Sequence, residues 1–258
     1  MPFTLSHPAA AVPFARNRLI LSALVVGSLS PDLIYFLCLS TRCQFGHTLL
    51  GLFLFDMPVG LTLLWLFHTV LKYPLLSLFS VTHQQCLMPL AKNHFHFIPL
   101  RRFLLIVLSL LLGAITHIVW DSFTHSSGWM VQQLAILRTP IIDISQKAIK
   151  LHNILQHGST LLGIGLLSYW YYRWFRQAPK EPIAALTCFS TRTKWLIILI
   201  IGLSASGIGS IYAFLNIFPF ASLRSFESFV GKAVISGMTI AFIELVIFSL
   251  LLFRLVRK

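Results

Sequence analysis

Apolar residues in this chain come in long unbroken blocks, with polar residues confined to the gaps between them. About 20 apolar residues in a helix cross the ~30 Å hydrocarbon core of a bilayer. On that criterion membrane-spanning helices are predicted over Leu19 to Leu39, His47 to Leu71, Phe103 to Trp120, Gln156 to Trp174, Trp195 to Phe218 and Lys232 to Phe253. The first block breaks near Gly27-Ser28 and restarts at Ser30-Pro31-Asp32. The second carries Asp56 and Pro58, and the sixth carries Glu244. Ser6 to Ala15 is a shorter apolar stretch opening with Ser-His-Pro, a helix-start signal. Leu75 to Leu100 is too polar to span and is expected as a loop with an interfacial stretch. Gly128 to Asn153 is expected as a polar connection. Gly202, Ser206 and Ser210, four apart, predict a small-residue face for close helix packing. The expected fold is an all-α polytopic membrane bundle of about six transmembrane helices plus a short N-terminal helix. Residues 1–176 are expected to form the domain that carries the site, and residues 177–258 to add further transmembrane helices.

Composition closes off the soluble alternatives. The 258 residues are 57% hydrophobic and 10% charged, with a mean hydropathy of +0.82, too little charge to wet a globular surface. The net charge of +13 is the excess of Lys and Arg that membrane proteins keep in their loops, and no basic run interleaved with aromatics points to nucleic acid. With the segment before the first span placed in the cytoplasm, fourteen of the 20 Lys and Arg fall on that side and six on the other. The positive-inside rule then puts the C-terminus in the cytoplasm. Trp170-Tyr171-Tyr172-Arg173-Trp174 anchors a helix end at the headgroups. The four cysteines have no zinc-ribbon spacing. Cys38 and Cys43 flank a short loop, and either pair, if the loop faces an oxidising compartment, or remain ordinary apolar residues. Met1 to Phe14 lacks the basic start of a cleavable signal peptide.

This topology sorts the ionisable residues by side. Asp32 sits in the outer part of the first span, His47 opens the second, His117, Asp121 and His125 end the third, and His157 opens the fourth. Four helices thus bring metal-competent side chains to the non-cytoplasmic face. At about 100° per residue, His117, Asp121 and His125 share one helical face. Imidazole with carboxylate suits zinc, manganese or iron(II). For His7 two placements stay open: in the cytoplasm, or returned to the outer face if Ser6 to Ala15 descends and turns at Arg16-Arg18. Asp56, nine residues beyond His47, is expected on the opposite helical face and ~13 Å deeper, away from this site. His68 and His152 are read as hydrogen-bonding residues, and His83, His94 and His96 as solvated. Glu244 is read as polar glue between helices.

The strings Pro2 to Ala10 (PFTLSHPAA), Gly27 to Phe36 (GSLSPDLIYF), Gly46 to Gly60 (GHTLLGLFLFDMPVG), His117 to Trp129 (HIVWDSFTHSSGW) and Leu155 to Gly163 (LQHGSTLLG) resemble a bacterial family of multi-pass membrane proteins carried as a domain of unknown function. The resemblance covers about residues 2 to 176, and later residues match only as apolar spans. More remotely, the Pro-Asp, His-Thr-Leu and His-x-x-x-Asp-x-x-Thr elements look like the YdjM-type inner-membrane metal-dependent hydrolases. Those resemble in turn the zinc phospholipase C and P1 nuclease class. The resemblance implies His7, Asp32, His47, His117 and Asp121 as ligands of a divalent metal, zinc first, with His125 or His157 completing the set. It also implies the bacterial inner membrane as location. No residue here replaces the N-terminal amine that the secreted enzymes use as a ligand. The expected function is hydrolysis of a phosphoester or lipid-like substrate at the non-cytoplasmic face, with Asp121 or Asp32 doubling as base and membrane lipids as the neighbouring partners. The alternatives are a proton-coupled transporter or channel using Asp32, Asp56 and Glu244, and a non-catalytic membrane scaffold.

Overall fold

The computed structural model describes residues 4–40, 42–144, 147–181, 189–220 and 222–256. They form ten helices, named here α1 (Pro8–Ala11), α2 (Leu21–Leu29), α3 (Leu33–Cys38), α4 (Leu49–Leu78), α5 (Val81–Lys92), α6 (Leu100–Thr124), α7 (Trp129–Gln133), α8 (Leu151–Gln177), α9 (Thr191–Ile217) and α10 (Leu223–Val256). Short 3-10 turns join several of them. Strands β1 (Pro140–Ile144) and β2 (Lys147–Lys150) pair antiparallel between α7 and α8. The expected polar connection is thus a short helix followed by a β-hairpin. The three isoleucines of Pro140–Ile144 carry that signal in the sequence for the first strand, whereas Lys147–Lys150 has only Ile149.

Five segments are long and apolar enough to cross a membrane: Leu21–Cys38, Leu49–Leu78, Leu100–Gln133, Thr191–Ile217 and Ser225–Leu252. This is the pattern of an integral membrane protein. The sixth expected span lies within α8, which has the length but is diluted by Gln156, His157, Gly158, Ser159 and Thr160. The stretch from Leu75 to Leu100, expected as a loop, holds the end of α4 and all of α5.

The chain divides into two compact units: residues 1–32, 45–64 and 96–176 in the first, and 33–44, 65–95 and 177–258 in the second. Residues 33–44 and 65–95 thus group with residues 177–258.

In the first unit α2 packs on α6 at unusually close range. Gly27 lies against the Leu110 backbone and Gly113 against the Leu24 carbonyl, so a Cβ at either position would overlap main chain. Leu24, Leu64, Ile106, Leu110 and Ala114 are fully buried around this crossing. Ser109 reinforces it, its hydroxyl accepting from the Ile20 N–H at 3.0 Å. Because no hydrophobic force separates helix from lipid inside a bilayer, such backbone-to-backbone packing is a main source of association there.

In the second unit α9 and α10 form a helical hairpin. The close approach runs along Ala205, Gly209 and Ala213, all buried, with Gly209 against the Gly237 backbone. Gly202, Ser206 and Ser210 are exposed and line an adjoining groove. The expected small-residue spacing is right but its face is displaced, since Gly202-Ser206-Ser210 and Ala205-Gly209-Ala213 are parallel stripes of the same helix. Ser204 donates to Glu244 Oε2 at 3.0 Å across the hairpin, the polar-glue role expected of that carboxylate. Cys38 and Cys43 are joined by a disulfide. His68 stacks on Phe95 with ring centroids 4.0 Å apart, and His83 is not simply solvated, its Nδ1 lying 2.8 Å from the Ser80 hydroxyl.

Candidate metal centre

Each residue of the polar cluster in the first unit is delivered by an interruption or an end of a helix. α2 ends at Ser30-Pro31-Asp32, where proline removes a backbone donor and the chain tightens into a 3-10 turn that buries Asp32. His47 closes another 3-10 turn, Phe45–His47, just before Thr48 caps α4 by accepting from the Gly51 N–H at 2.9 Å. Gly46 lies against the Pro31 carbonyl, which brings His47 beside Asp32. His117 and Asp121 are one turn apart on α6, and His125 is its C-cap in extended conformation.

Asp32, His47, His117 and Asp121 each turn one ligand atom into a common space, all four within 4.8 Å of one another. His117 Nε2 is 3.4 Å from Asp32 Oδ1 and 3.3 Å from Asp121 Oδ2. His47 Nε2 is 3.5 Å from Asp32 Oδ1 and 3.4 Å from Asp121 Oδ2. These four contacts form a closed ring in which imidazole and carboxylate alternate, and the two separations across the ring are no more than 4.8 Å. The centre of such a set lies about 2.1–2.4 Å from each atom, close to the bonds zinc makes to imidazole nitrogen and carboxylate oxygen.

The hydrogen bonds around the four residues suit ligation. His117 Nδ1 lies 2.7 Å from the Ser28 carbonyl, an acceptor only, so Nδ1 carries the proton and the Nε2 lone pair of the neutral ring is aimed at the two carboxylates. His117 Nε2 and Asp32 Oδ1 are buried and make no hydrogen bond among the described residues. Lone pairs meeting at this distance in a buried site call for a cation between them. Asp32 Oδ2 accepts from the Thr4 hydroxyl at 2.6 Å, leaving Oδ1 for the centre. Burial opposes protonation of His47, yet the Asp121 and Asp32 carboxylates outweigh it and raise its pKa, the sign of a site with surplus negative charge.

His7 and His125 flank the four. The N-terminal segment folds back so that His7 is fully buried and stacks on His117, with ring centroids 3.7 Å apart. Of the two placements left open by the sequence, the return to the site is the one adopted. His7 Nε2 is 3.5 Å from Asp121 Oδ1, and burial, followed by the nearby His117, lowers its pKa to about 3, so the ring is neutral. His125 Nδ1 is 3.3 Å from Asp121 Oδ2. His157 is exposed on α8 and stands apart from the four; α8 instead reaches α6 through Ser159, which accepts from Trp120 Nε1 at 3.0 Å.

Asp56 stays outside the four-residue cluster, as expected, but lies nearer the His47 segment than the helix count implies. It is fully buried, and a Cβ on Gly46 would stand 3.1 Å from its Oδ1, so it adjoins the His47 segment. The ideal-helix argument fails because His47 precedes the helix and Leu52–Asp56 is π-helical, with i→i+5 bonding that shifts the angular register. Thr4 and the Ser28 carbonyl were not legible beforehand, since hydroxyl and backbone partners leave no mark in spacing. Replacing Thr4 with valine, which keeps the shape and removes the donor, is expected to weaken metal binding about tenfold. Competition with a chromophoric chelator measures this, and an unchanged affinity would show that Thr4 does not orient Asp32.

Neither curated proteins nor solved structures show a match to the chain. The family comparison matches residues 1–250 to the domain of unknown function DUF4184, reaching through α9 and into α10, well past the residues whose motifs suggested such a family. The membrane helices and the Asp32, His47, His117 and Asp121 cluster therefore lie within one family domain, and the chain belongs to the DUF4184 family.

Proposed function

We propose that the protein is a membrane-embedded, metal-dependent hydrolase of phosphoesters, with zinc held by Asp32, His47, His117 and Asp121 at the non-cytoplasmic face. The observation that carries this reading is the ring of four imidazole–carboxylate contacts at 3.3–3.5 Å, open on one side. The His7 and His117 side chains are fully enclosed, whereas those of His47 and His125 are 18% and 23% exposed. Water and substrate enter between these two rings.

A divalent cation in such a site polarises a phosphoryl oxygen and acidifies water. The chain's own residues supply the rest. Of the two candidate bases, Asp32 has Oδ2 engaged by Thr4 and Oδ1 turned to the centre. Asp121 turns Oδ2 to the centre and keeps Oδ1, 3.5 Å from His7 Nε2, without a hydrogen bond among the described residues, so Asp121 Oδ1 is the base that takes the proton. His125, at the opening, orients the phosphate of a lipid headgroup. The site then faces away from the side holding most of the Lys and Arg, in the bacterial inner membrane that the family resemblance implies.

The test is protein reconstituted with zinc or manganese and offered phospholipids, polyprenyl phosphates and an aryl phosphate. Hydrolysis is expected to stop on addition of a membrane-impermeant chelator outside, and to fall about a hundredfold or more in Asp121→Asn. Inserted, metal-loaded protein that cleaves none of them would overturn the reading, and proton or solute movement by that protein would favour transport. A second reading has its own support: four protein ligands can fill a tetrahedron, as in structural zinc sites. In that case chelation lowers thermal stability and no substrate turns over.

A further inference from the structure

We infer that the segment after α6, from Trp129 to Asp143, is a docking surface for the phospholipid headgroup layer. The sequence had placed it in a solvated connection. The structure shows five of its large apolar side chains turned outward: Trp129 and Ile136 at 65% exposure, with Leu134, Ile141 and Ile142 at 42–52%. Only Val131 and Leu137 are buried. The direction is set by ordered contacts. The Gly128 N–H donates to the His125 carbonyl at 2.9 Å, Gln132 Nε2 to the Ser126 carbonyl at 2.6 Å, and the Leu151 N–H to the Thr139 carbonyl at 3.0 Å. Strands β1 and β2 form a two-stranded ribbon whose register shifts at Ile141, and Ile141 and Ile142 are both exposed.

Three physical arguments commit this surface to lipid. First, α6 lies in the most apolar of the five segments and with 25 residues exceeds the ~20 that cross a bilayer, so the residues after its end at Thr124 emerge at the membrane surface. Second, tryptophan and branched aliphatic side chains beside a helix end partition into the interfacial zone. Third, Arg138, Lys147 and Lys150 against a single Asp143 give the segment and its returning strand a positive balance, complementary to anionic headgroups. The connection that carries the segment leaves α6 at His125 and returns at His152, buried against the Thr124 backbone, so both of its ends meet α6 where the metal cluster lies.

The experiment uses full-length protein with Cys86 and Cys188 replaced by alanine and an environment-sensitive fluorophore attached at Ile142→Cys. It is reconstituted in phosphatidylcholine–phosphatidylglycerol vesicles with or without brominated acyl chains. A second labelled chain, Leu104→Cys on the exposed face of α6, confirms insertion through bromine quenching. At Ile142 brominated lipid is expected to cut emission about twofold, with little effect of aqueous iodide. Quenching by iodide and not by bromine would overturn the inference in favour of a solvated loop. Quenching by neither would overturn it in favour of burial against protein, such as a second copy. Neither result depends on metal or on hydrolysis.

Discussion

A His117→Ala chain is expected to leave the membrane with less than about a tenth of the metal that the wild type carries, since even supporting residues around a metal cost 10–100-fold in affinity. His117 is enclosed on every side, its Nδ1 tied to the Ser28 carbonyl and its Nε2 within 3.3–3.4 Å of both carboxylates. Alanine removes one of the four ligands and one of the two imidazoles that stand between Asp32 and Asp121. Two buried carboxylates then face each other with less to compensate them, and breaking a buried charge arrangement costs roughly 3–5 kcal/mol. The variant is therefore expected to melt earlier as well as to lose metal. Elemental analysis per mole of protein, beside the wild type, reads the first effect and detergent-phase thermal unfolding the second. Full metal content in His117→Ala would remove His117 from the ligand set.

The second large effect is expected far from any ligand atom. Gly113→Leu places a side chain where the Leu24 carbonyl and the Ser28 N–H now stand, against main chain that cannot rotate away. Overpacking a tight core costs typically 1–3 kcal/mol, and more where the obstacle is backbone. Forcing α2 from α6 also withdraws the Ser28 carbonyl from His117 and Asp32 from the centre. The chain is expected either to be degraded or to insert with metal content near that of His117→Ala. Gly165→Leu, at a position where a Cβ meets nothing within 4 Å, is the matched control and should express normally. Normal expression and full metal in Gly113→Leu would mean that the α2–α6 crossing does not build the site.

These two variants also mark what the sequence could and could not convey. The His117–Asp121 pair is legible from helical periodicity alone, because both residues lie inside one unbroken helix. The positions of Asp32 and His47 on one side of the membrane follow from span order, but their meeting depends on Gly46 against the Pro31 carbonyl, a contact between segments. His7 was undecidable because a four-residue helix followed by a 3-10 turn has no length signal to say whether it crosses or returns. Asp56 and the α9 packing stripe were both misplaced by angular arithmetic, the first by a π-helical stretch and the second by the choice between two stripes of small residues. The hairpin after α7 had a usable signal only in the isoleucines of Pro140–Ile144, masked by reading the whole stretch as polar.

Zinc-edge X-ray absorption on wild-type protein purified without chelator addresses the proposed centre most directly. The geometry predicts about one zinc or more per chain in a first shell of nitrogen and oxygen at about 2.0–2.1 Å, with no sulfur. Intact, inserted protein from zinc-replete cells that shows no stoichiometric transition metal, or a shell containing sulfur, would contradict it.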